Sequence, residues 1–308
     1  MLCDQNGNPD MTDLFRGFEQ RRVPGDGADI FLRLGGSGPP VLLLHGFPQT
    51  HAMWHRLAGP LAESFTLVIP DLRGYGLSTG PENNADGYAF SKRAMGRDFL
   101  AVMASLGHER FAVAGHDRGA RVAYRMALDR AEAISKLAVL DIVPTFAMWH
   151  GMDHKLAKAV YHWPFLAQPF PLPETLIGAN PVYYLDWTMA SWTKARDLSA
   201  FDAAALAEYR LHYASPETIR ATCNDYRSGA SYDLAADEAD RAAGRRISCP
   251  TLALWGTAGI PGDIDGPLAI WREWCDDVRG GAIDSGHFLA EENPEATLAQ
   301  LVPFLTKA

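Results

Sequence analysis

The sequence has few of the features that would place a protein in a membrane, on a metal ion or in an oxidising compartment. No apolar run reaches the ~18 residues of a membrane span, and the polar residues 1–10 contain no signal-peptide core, so we expect a cytoplasmic protein. The cysteines lack the C-x-x-C spacing of zinc and redox sites, which predicts reduced thiols, no disulfide framework and no metal centre. They are scattered at Cys3, Cys223, Cys249 and Cys275.

The chain also has fewer basic residues than acidic ones. The 308 residues include 28 Lys and Arg against 37 Asp and Glu, a formal net charge of −9. A molecule of this sign repels nucleic acids and anionic membranes, so neither is an expected partner. An anionic small molecule has to be captured by a local group of cations, because the overall field opposes it.

The chain does contain a series of short apolar runs, several of them closed by glycine or aspartate. Such runs are typical of strands that are buried on both faces of a parallel sheet. Helical patterns lie between several of them, so the sequence predicts an α/β fold with a mostly parallel central sheet and helices on both faces. The runs cover residues 40–46, 65–71, 111–117, 137–141 and 251–256.

The alternation of strands and helices stops between about residues 145 and 245. This segment is rich in Trp, Tyr, His and Pro and has helical stretches such as 203–214. We interpret 145–245 as a helical cap inserted into a core of residues 15–144 and 246–308. The cap is expected to cover the carboxyl ends of the strands, where open α/β sheets bind ligands. Residues 1–14 are expected to form a poorly ordered leader.

The third apolar run leads into Gly115-His116-Asp117-Arg118-Gly119 and then into a helix. This is the nucleophile-elbow pattern G-x-S-x-G with aspartate in place of serine. The sharp turn requires small residues two positions before and after the nucleophile, which Gly115 and Gly119 supply. A carboxylate at this point can attack an sp³ carbon that carries a leaving group and form a covalent ester. The alternative, an aspartate that merely forms a turn, leaves both glycines unexplained.

Two arginines follow the proposed nucleophile on the first turn of the helix. Arg118 and Arg121 are three residues apart and therefore share one helix face. A guanidinium fork matches a carboxylate, and the two charges should lower the pKa of Asp117. The pattern indicates a small anionic substrate; the alternative is a pair of helix arginines in surface salt bridges.

A candidate general base lies near the end of the chain. His287 follows a predicted strand that ends at Asp284, through Ser285 and Gly286. Imidazole is the natural base for deprotonating water near neutral pH. Because Asp117 is already ionised, we expect His287 to activate the water that later hydrolyses the ester. The alternative is a solvated loop histidine.

Together these motifs resemble those of the α/β-hydrolases, in the same order and over nearly the full chain. They are His45-Gly46-Phe47-Pro48, Asp71 to Gly76, the elbow, and Asp284 to Phe288. Elbow aspartates occur in haloalkane dehalogenases and epoxide hydrolases, which usually carry tryptophan after the nucleophile, and in haloacetate dehalogenases. His-Asp-Arg-Gly-Ala-Arg, with a His-Trp pair in the cap, is similar to the fluoroacetate dehalogenases.

The resemblance implies further roles around the nucleophile. Family members place the acid that orients the histidine after either of two strands. After the later strand this chain has glycine, whereas Asp141 closes the earlier one, so Asp141 is assigned to orient His287, with Asp263 as the fallback. The backbone N–H groups of Phe47 and Arg118 are expected to form the oxyanion hole.

The resemblance also implies a halide-binding site in the cap, formed by His162, Trp163 and Tyr226. Each offers one donor hydrogen, and fluoride is a poor leaving group that needs such stabilisation. Phe47 has no donor in its side chain, which moves halide binding to the cap. From the residues alone, these aromatic groups could equally pack the cap, and Trp192 is interpreted as packing.

The predicted function is hydrolysis of 2-haloacetates, fluoroacetate to glycolate and fluoride, through an aspartyl ester, without cofactor or metal, in a homodimer. The nearest alternative is a soluble epoxide hydrolase, in which Tyr226 and a second tyrosine, Tyr161, Tyr183 or Tyr184, would protonate the epoxide. Arg118 disfavours it, since a cation has no evident role beside a neutral epoxide. A non-catalytic receptor for small acids leaves the nucleophile, base and acid unexplained.

Overall fold

The structure, a computed structural model, describes residues 13–81, 87–263 and 266–307. Residues 1–12 of the predicted leader therefore lie outside the described residues. An eight-stranded sheet forms the centre, in the order β1-β2-β4-β3-β5-β6-β7-β8. The strands are β1 Glu19–Pro24, β2 Asp29–Gly35, β3 Pro40–Leu44, β4 Thr66–Pro70, β5 Phe111–His116, β6 Ile134–Leu140, β7 Thr251–Gly256 and β8 Val278–Ile283.

The sheet is mostly parallel, as predicted. Strand β2 pairs antiparallel with β1 and β4, and every pairing from β4 to β8 is parallel. The five apolar runs correspond to β3 to β7, and all residues of β5 are buried. The α/β fold is thus confirmed, and β5 at the centre of the sheet delivers its carboxyl end to the candidate site. The helices outside the β6–β7 insertion are α1 His55–Ala62, α2 Lys92–Ser105, α3 Asp117–Asp129, α12 Pro267–Trp274, α13 Leu289–Glu292 and α14 Pro294–Thr306.

The segment between β6 and β7, all of whose residues are described, contains α helices and connecting turns but no strand. The eight α helices fall inside the predicted cap, 145–245, and add no strand to the sheet. They are α4 Thr145–His150, α5 His154–Ala159, α6 His162–Leu166, α7 Leu172–Gly178, α8 Pro181–Trp192, α9 Ala203–Tyr213, α10 Pro216–Gly229 and α11 Tyr232–Ala242. Short 3₁₀ helices lie at His51–Trp54, Tyr88–Phe90 and Ile260–Asp263.

Helix α3 joins the sheet to this helical segment. Asp117 through Ala127 are all buried. Near its centre, Arg125 donates to Asp237 at 2.9 Å and to Asp240 at 2.5 Å, both on α11. Tyr124 donates to Asp237 at 2.9 Å. Buried ionic groups of this kind are costly unless they are paired, so these contacts fix α11 against the helix that carries Asp117.

In the described ranges, no helix is both long enough and apolar enough to cross a lipid bilayer. The same ranges contain no group of three His, Cys, Asp or Glu side chains that converge as metal ligands.

Candidate active site

Asp117 occupies a strained turn between β5 and α3. Its φ angle is +46°, in the left-handed region that side-chain-bearing residues rarely adopt. A Cβ atom on Gly115 would lie 2.6 Å from the Cα of Ala120, and one on Gly119 would lie 2.2 Å from the carbonyl oxygen of His45. Both positions therefore require glycine, which is the physical basis of the elbow pattern in the sequence.

The carboxylate of Asp117 has different neighbours on its two oxygens. Oδ1 accepts the backbone N–H of Phe47 at 2.9 Å. Arg118 is the second residue of α3, so its own backbone N–H has no acceptor within the helix. Both groups predicted for the oxyanion hole are thus backbone donors beside Asp117. Oδ2 lies 3.9 Å from Nε2 of His287, beyond hydrogen-bond range.

Asp117 is buried and yet predisposed to be ionised. Burial alone would raise its pKa, but the neighbouring positive charges of His287, Arg118 and Arg121 outweigh it and hold the pKa below the usual value. The group can therefore act as a nucleophile without a base to deprotonate it.

His287 and Asp141, the pair that the family resemblance implies, lie within hydrogen-bond distance of each other. Nδ1 of His287 lies 2.5 Å from Oδ2 of Asp141, and Oδ1 accepts the backbone N–H of Gly256 at 2.8 Å. Burial lowers the pKa of His287, but the bond and charge of Asp141 more than offset this, so that the pKa is raised. Nε2 is buried and has no hydrogen-bond partner among the described residues. It is the atom that faces Asp117.

The two possible positions of the acid exclude each other here. A Cβ on Gly259, in the loop after β7, would lie 2.4 Å from Oδ1 of Asp141. The carboxylate from the end of β6 thus fills the space that a side chain after β7 would need. The fallback Asp263 ends a short 3₁₀ helix, and its side chain lies outside the described part of the chain.

Both arginines are buried, which excludes the surface salt bridges considered above. The fork of Arg118 is directed at Asp225 rather than into the site: Nε and Nη2 donate to Oδ1 at 3.1 and 2.5 Å. Only Nη1 of Arg118 is buried without a partner in the described residues. Nη1 of Arg121 donates to Val143 O at 3.1 Å and to Thr145 Oγ1 at 3.0 Å, whereas its Nε has no described partner.

The three residues predicted to bind halide lie together under the cap. The rings of His162 and Trp163, at the start of α6, are 5.6 and 6.2 Å from the ring of Tyr226 on α10. Burial lowers the pKa of His162 to about 3 and raises that of Tyr226 well above its usual range. Both are therefore neutral donors at working pH. In the described part of the chain, His162 Nδ1 and the Tyr226 hydroxyl are buried and unpartnered.

A small cavity of about 20 Å³ lies between Asp117, His287, His162 and Trp163. That is room for about one water. Arg118 and Tyr226 are not among its lining residues but adjoin them: the Tyr226 ring is 5.6 Å from that of His162, and Arg118 Cζ is 5.9 Å from the ring centre of Trp163. The lining residues are Asp117, Arg121, Asp141, Ile142, Val143, Met148, His162, Trp163, Trp192, Ile260, Pro261 and His287.

Two features of the site had little or no signal in the sequence. Trp192, interpreted above as packing, lines the cavity, with its ring 4.5 Å from His162 and 5.2 Å from His287. Asp225 holds the fork of Arg118 and also accepts from Lys92. A carboxylate directly before Tyr226 was visible in the sequence, but nothing connected it to Arg118.

The chain is similar to several known proteins in sequence and in fold. A family model described as alpha/beta hydrolase fold matches residues 39–294. A fluoroacetate dehalogenase from Burkholderia sp is 41% identical over 96% of this chain and 96% of that protein. A soluble epoxide hydrolase from Corynebacterium sp. (strain C12) is 32% identical over 87% of this chain and 91% of that protein. The solved structure of ALR0039 from Nostoc sp PCC 7120, described as an alpha/beta hydrolase, has a TM-score of 0.92 at 50% identity and covers 97% of this chain and 100% of that one.

Proposed function

The chain belongs to the alpha/beta hydrolase family, within the fluoroacetate dehalogenase group, and we propose that it hydrolyses 2-haloacetates to glycolate and halide through an ester on Asp117. The observation that carries this proposal is the state of Arg121. Its guanidinium lines the cavity beside Asp117, is buried, and lies over the ring of Trp163, with Cζ 4.5 Å from the ring centre. Among the described residues its hydrogen bonds go to the neutral oxygens of Val143 and Thr145. A buried guanidinium that donates to no carboxylate is costly, and a substrate carboxylate would satisfy it.

The first half-reaction needs no proton transfer. With the substrate carboxylate held by Arg121 Nε and Arg118 Nη1, Oδ2 of Asp117 attacks the carbon that bears the halogen. The new C–O bond forms as the carbon–halogen bond breaks, and the electron pair leaves with the halide. Neutral donors from His162, Trp163 and Tyr226 stabilise the leaving ion, and in a water-poor site each such donor is worth ~3 kcal/mol in the barrier.

The second half-reaction uses His287. Nε2 takes a proton from water, and the oxygen attacks the carbonyl carbon of the Asp117 ester. The negative charge that develops on the ester oxygen is accepted by the backbone N–H groups of Phe47 and Arg118. The imidazolium, balanced by Asp141, gives its proton to the departing alkoxide oxygen of glycolate. Asp117 is left as a carboxylic acid with the second proton of the water, and the release of that proton to solvent regenerates the carboxylate.

Epoxide hydrolysis is the second candidate, supported by the similarity to the Corynebacterium enzyme. It would use the same Asp117, His287 and Asp141, together with two tyrosines. Of the second tyrosines considered, Tyr183 is 65% exposed, and Tyr161 and Tyr184, like Tyr226, do not line the cavity that contains Asp117. A histidine, His162, lines it instead, which favours halide over epoxide as the group to be stabilised.

Halide release from purified protein tests the proposal. The protein would be incubated with fluoroacetate, and the fluoride released would be measured with an ion-selective electrode. Chloroacetate and styrene oxide would be tested in parallel, with Asp117→Ala as control. Fluoride or chloride release by the parent and not by the variant is expected. Formation of a diol from styrene oxide without halide release from either acid would overturn the proposal in favour of an epoxide hydrolase.

A further inference from the structure

Lys92 is in an unusual place for a lysine. It is the first residue of α2, and it is 1% exposed. A positive charge at a helix N-terminus opposes the helix dipole, and lysine is almost never fully buried unless it is paired. The residues that Lys92 contacts must therefore compensate its charge.

Those partners lead directly to the active site. Nζ of Lys92 donates to Oδ1 of Asp225, the same oxygen that accepts both nitrogens of the Arg118 fork. Oδ2 of Asp225 accepts the hydroxyl of Tyr75 at 2.9 Å. One fully buried carboxylate thus serves two buried cations and is held on both oxygens.

The geometry of Asp225 determines which part of Arg118 is free. Nη2 of Arg118 also donates to the backbone carbonyl of Asp225 at 2.8 Å. With Nε and Nη2 occupied, only Nη1 is left, and the guanidinium is stacked against the ring of Tyr226. The arginine cannot turn without breaking three hydrogen bonds to one residue.

The charges of this cluster favour a second anion. Lys92 and Arg118 share Asp225; the other carboxylate near Lys92, Asp233, has Oδ2 3.7 Å from Nζ. Oδ1 of Asp233 accepts the backbone N–H of Lys92 at 2.8 Å, so this carboxylate is bonded to the N-terminus of α2. Because Lys92 and Arg118 share one carboxylate, Lys92 offsets part of the Asp225 charge and leaves the charge of Arg118 less compensated than Asp225 alone would.

We propose that Lys92 is a positioning residue of the active site: by sharing the Asp225 carboxylate, it fixes Arg118 and offsets the negative charge of Asp225 that would otherwise repel a small carboxylate substrate. The inference rests on the proposed function, because it assigns the anion that Arg118 and Arg121 would bind. The competing explanation is a purely structural one, since Asp225 and Asp233 lie on the cap helices α10 and α11 and Lys92 lies on α2. A structural link would affect stability and would not distinguish a charged ligand from a neutral one.

A matched pair of ligands separates the two explanations. Fluoroacetate and fluoroacetamide have nearly the same shape and differ in charge, and the binding of both can be followed by ¹⁹F NMR. The titrations would use Asp117→Ala protein, in which no turnover occurs, alone and combined with Lys92→Met or Lys92→Arg. Lys155→Met, at an exposed lysine of α5, is the matched control.

We expect Lys92→Met to weaken fluoroacetate binding roughly 10- to 100-fold, with fluoroacetamide binding changed by less than about twofold. Lys92→Arg should restore much of the affinity, and Lys155→Met should have no effect. Equal weakening for both ligands, or no weakening, would overturn the inference. If Lys92→Met does not fold, Lys92→Gln takes its place, because it also removes the charge but keeps a hydrogen-bond donor for Asp225. The same selective loss is expected there, and native affinity for fluoroacetate would overturn the inference.

Turnover of chloroacetate by the parent protein separates this inference from the proposed function. Turnover with Lys92-independent binding leaves the function standing and removes the role of Lys92. Lys92-dependent binding of fluoroacetate without turnover of any haloacetate supports the role of Lys92 and removes the dehalogenase function. Absence of both binding and turnover overturns both.

Discussion

His287 stands 3.9 Å from Asp117 and makes no hydrogen bond with it. In a serine hydrolase the base must touch the nucleophile, because it has to remove the proton of the hydroxyl. Here the nucleophile is a carboxylate with a lowered pKa, so ester formation does not require the base. The separation of the two side chains therefore divides the reaction into a step that needs only Asp117 and a step that needs His287.

Replacing His287 should stop the enzyme between the two steps. In His287→Gln protein we expect Asp117 to release one equivalent of halide from chloroacetate and then to be trapped as its ester. Intact-protein mass spectrometry would show one added carboxymethyl group, located on Asp117 by peptide mapping. Asp117→Asn is the control and should give neither halide nor adduct; multiple turnovers by His287→Gln would contradict the assignment of the base.

The pH dependence of turnover should reflect His287. Only the neutral imidazole accepts a proton from water, so kcat should fall as the pH drops through its pKa. Because Asp141 raises that pKa, the fall should begin above the ~6.5 of an ordinary histidine. In Asp141→Asn protein only the smaller effects of the Asp117 and Glu292 charges oppose burial, so the pKa of His287 falls. The loss of kcat should then move to lower pH while the maximal rate decreases. A pH–kcat profile measures both, and an unmoved acid limb in Asp141→Asn would argue against this pairing.

The halide donors should matter most for the poorest leaving group. Tyr226→Phe removes one neutral O–H. It should raise the activation barrier for fluoroacetate by ~3 kcal/mol, which slows turnover roughly 100-fold. Bromoacetate should be affected less, because bromide leaves readily and accepts hydrogen bonds weakly. Comparison of kcat/KM for the two substrates measures the difference. Tyr184→Phe is the control, because it removes another buried hydroxyl from a ring that packs on Phe165 and Tyr213. An equal loss for both halides in Tyr226→Phe would indicate a packing role.

The parts of the site that sequence could predict are those determined by neighbouring residues. The elbow follows from the buried run of β5 and from two glycines within two residues of Asp117. Asp141 could be assigned because it closes an apolar run at one of the two positions where the family that the chain resembles places this acid. Strand β1 gave no such signal, since it lies at the edge of the sheet and only Val23 of its residues is buried.

The orientation of Arg118 could not be predicted, because it depends on residues far away in the chain. Its fork is held by Asp225, 107 residues later, and Asp225 in turn binds Lys92, 133 residues earlier. Sequence alone indicated that a cation follows the nucleophile. Which of its nitrogens is free is decided by the packing of cap helix α10 on the core.

Stability should depend on the buried ion pairs that join α3 to α11. Arg125→Ala would leave Asp237 and Asp240 buried without this cation, and breaking such a pair typically costs about 3–5 kcal/mol. The matched control is Arg130→Ala, whose exposed pair with Glu132 should contribute about 0–1 kcal/mol. Urea denaturation of the two variants measures both values. Similar losses in the two variants would show that the α3–α11 contacts do not hold the cap to the core.

The expected homodimer can be tested on the cap. Large apolar side chains on α7 and α8 are exposed: Leu172 by 50%, Leu176 by 58% and Tyr183 by 65%. Apolar groups exposed in this way on neighbouring helices are typical of an interface between subunits, most often a two-fold symmetric one. We therefore expect a dimer in light scattering coupled to size exclusion, and a monomer after Leu172→Glu with Leu176→Glu. Leu77→Glu is the control: it places the same charge on an exposed leucine outside the cap and should leave the dimer intact. A monomeric parent protein would contradict the prediction, because the exposed side chains of α7 and α8 would then not lie in an interface between subunits.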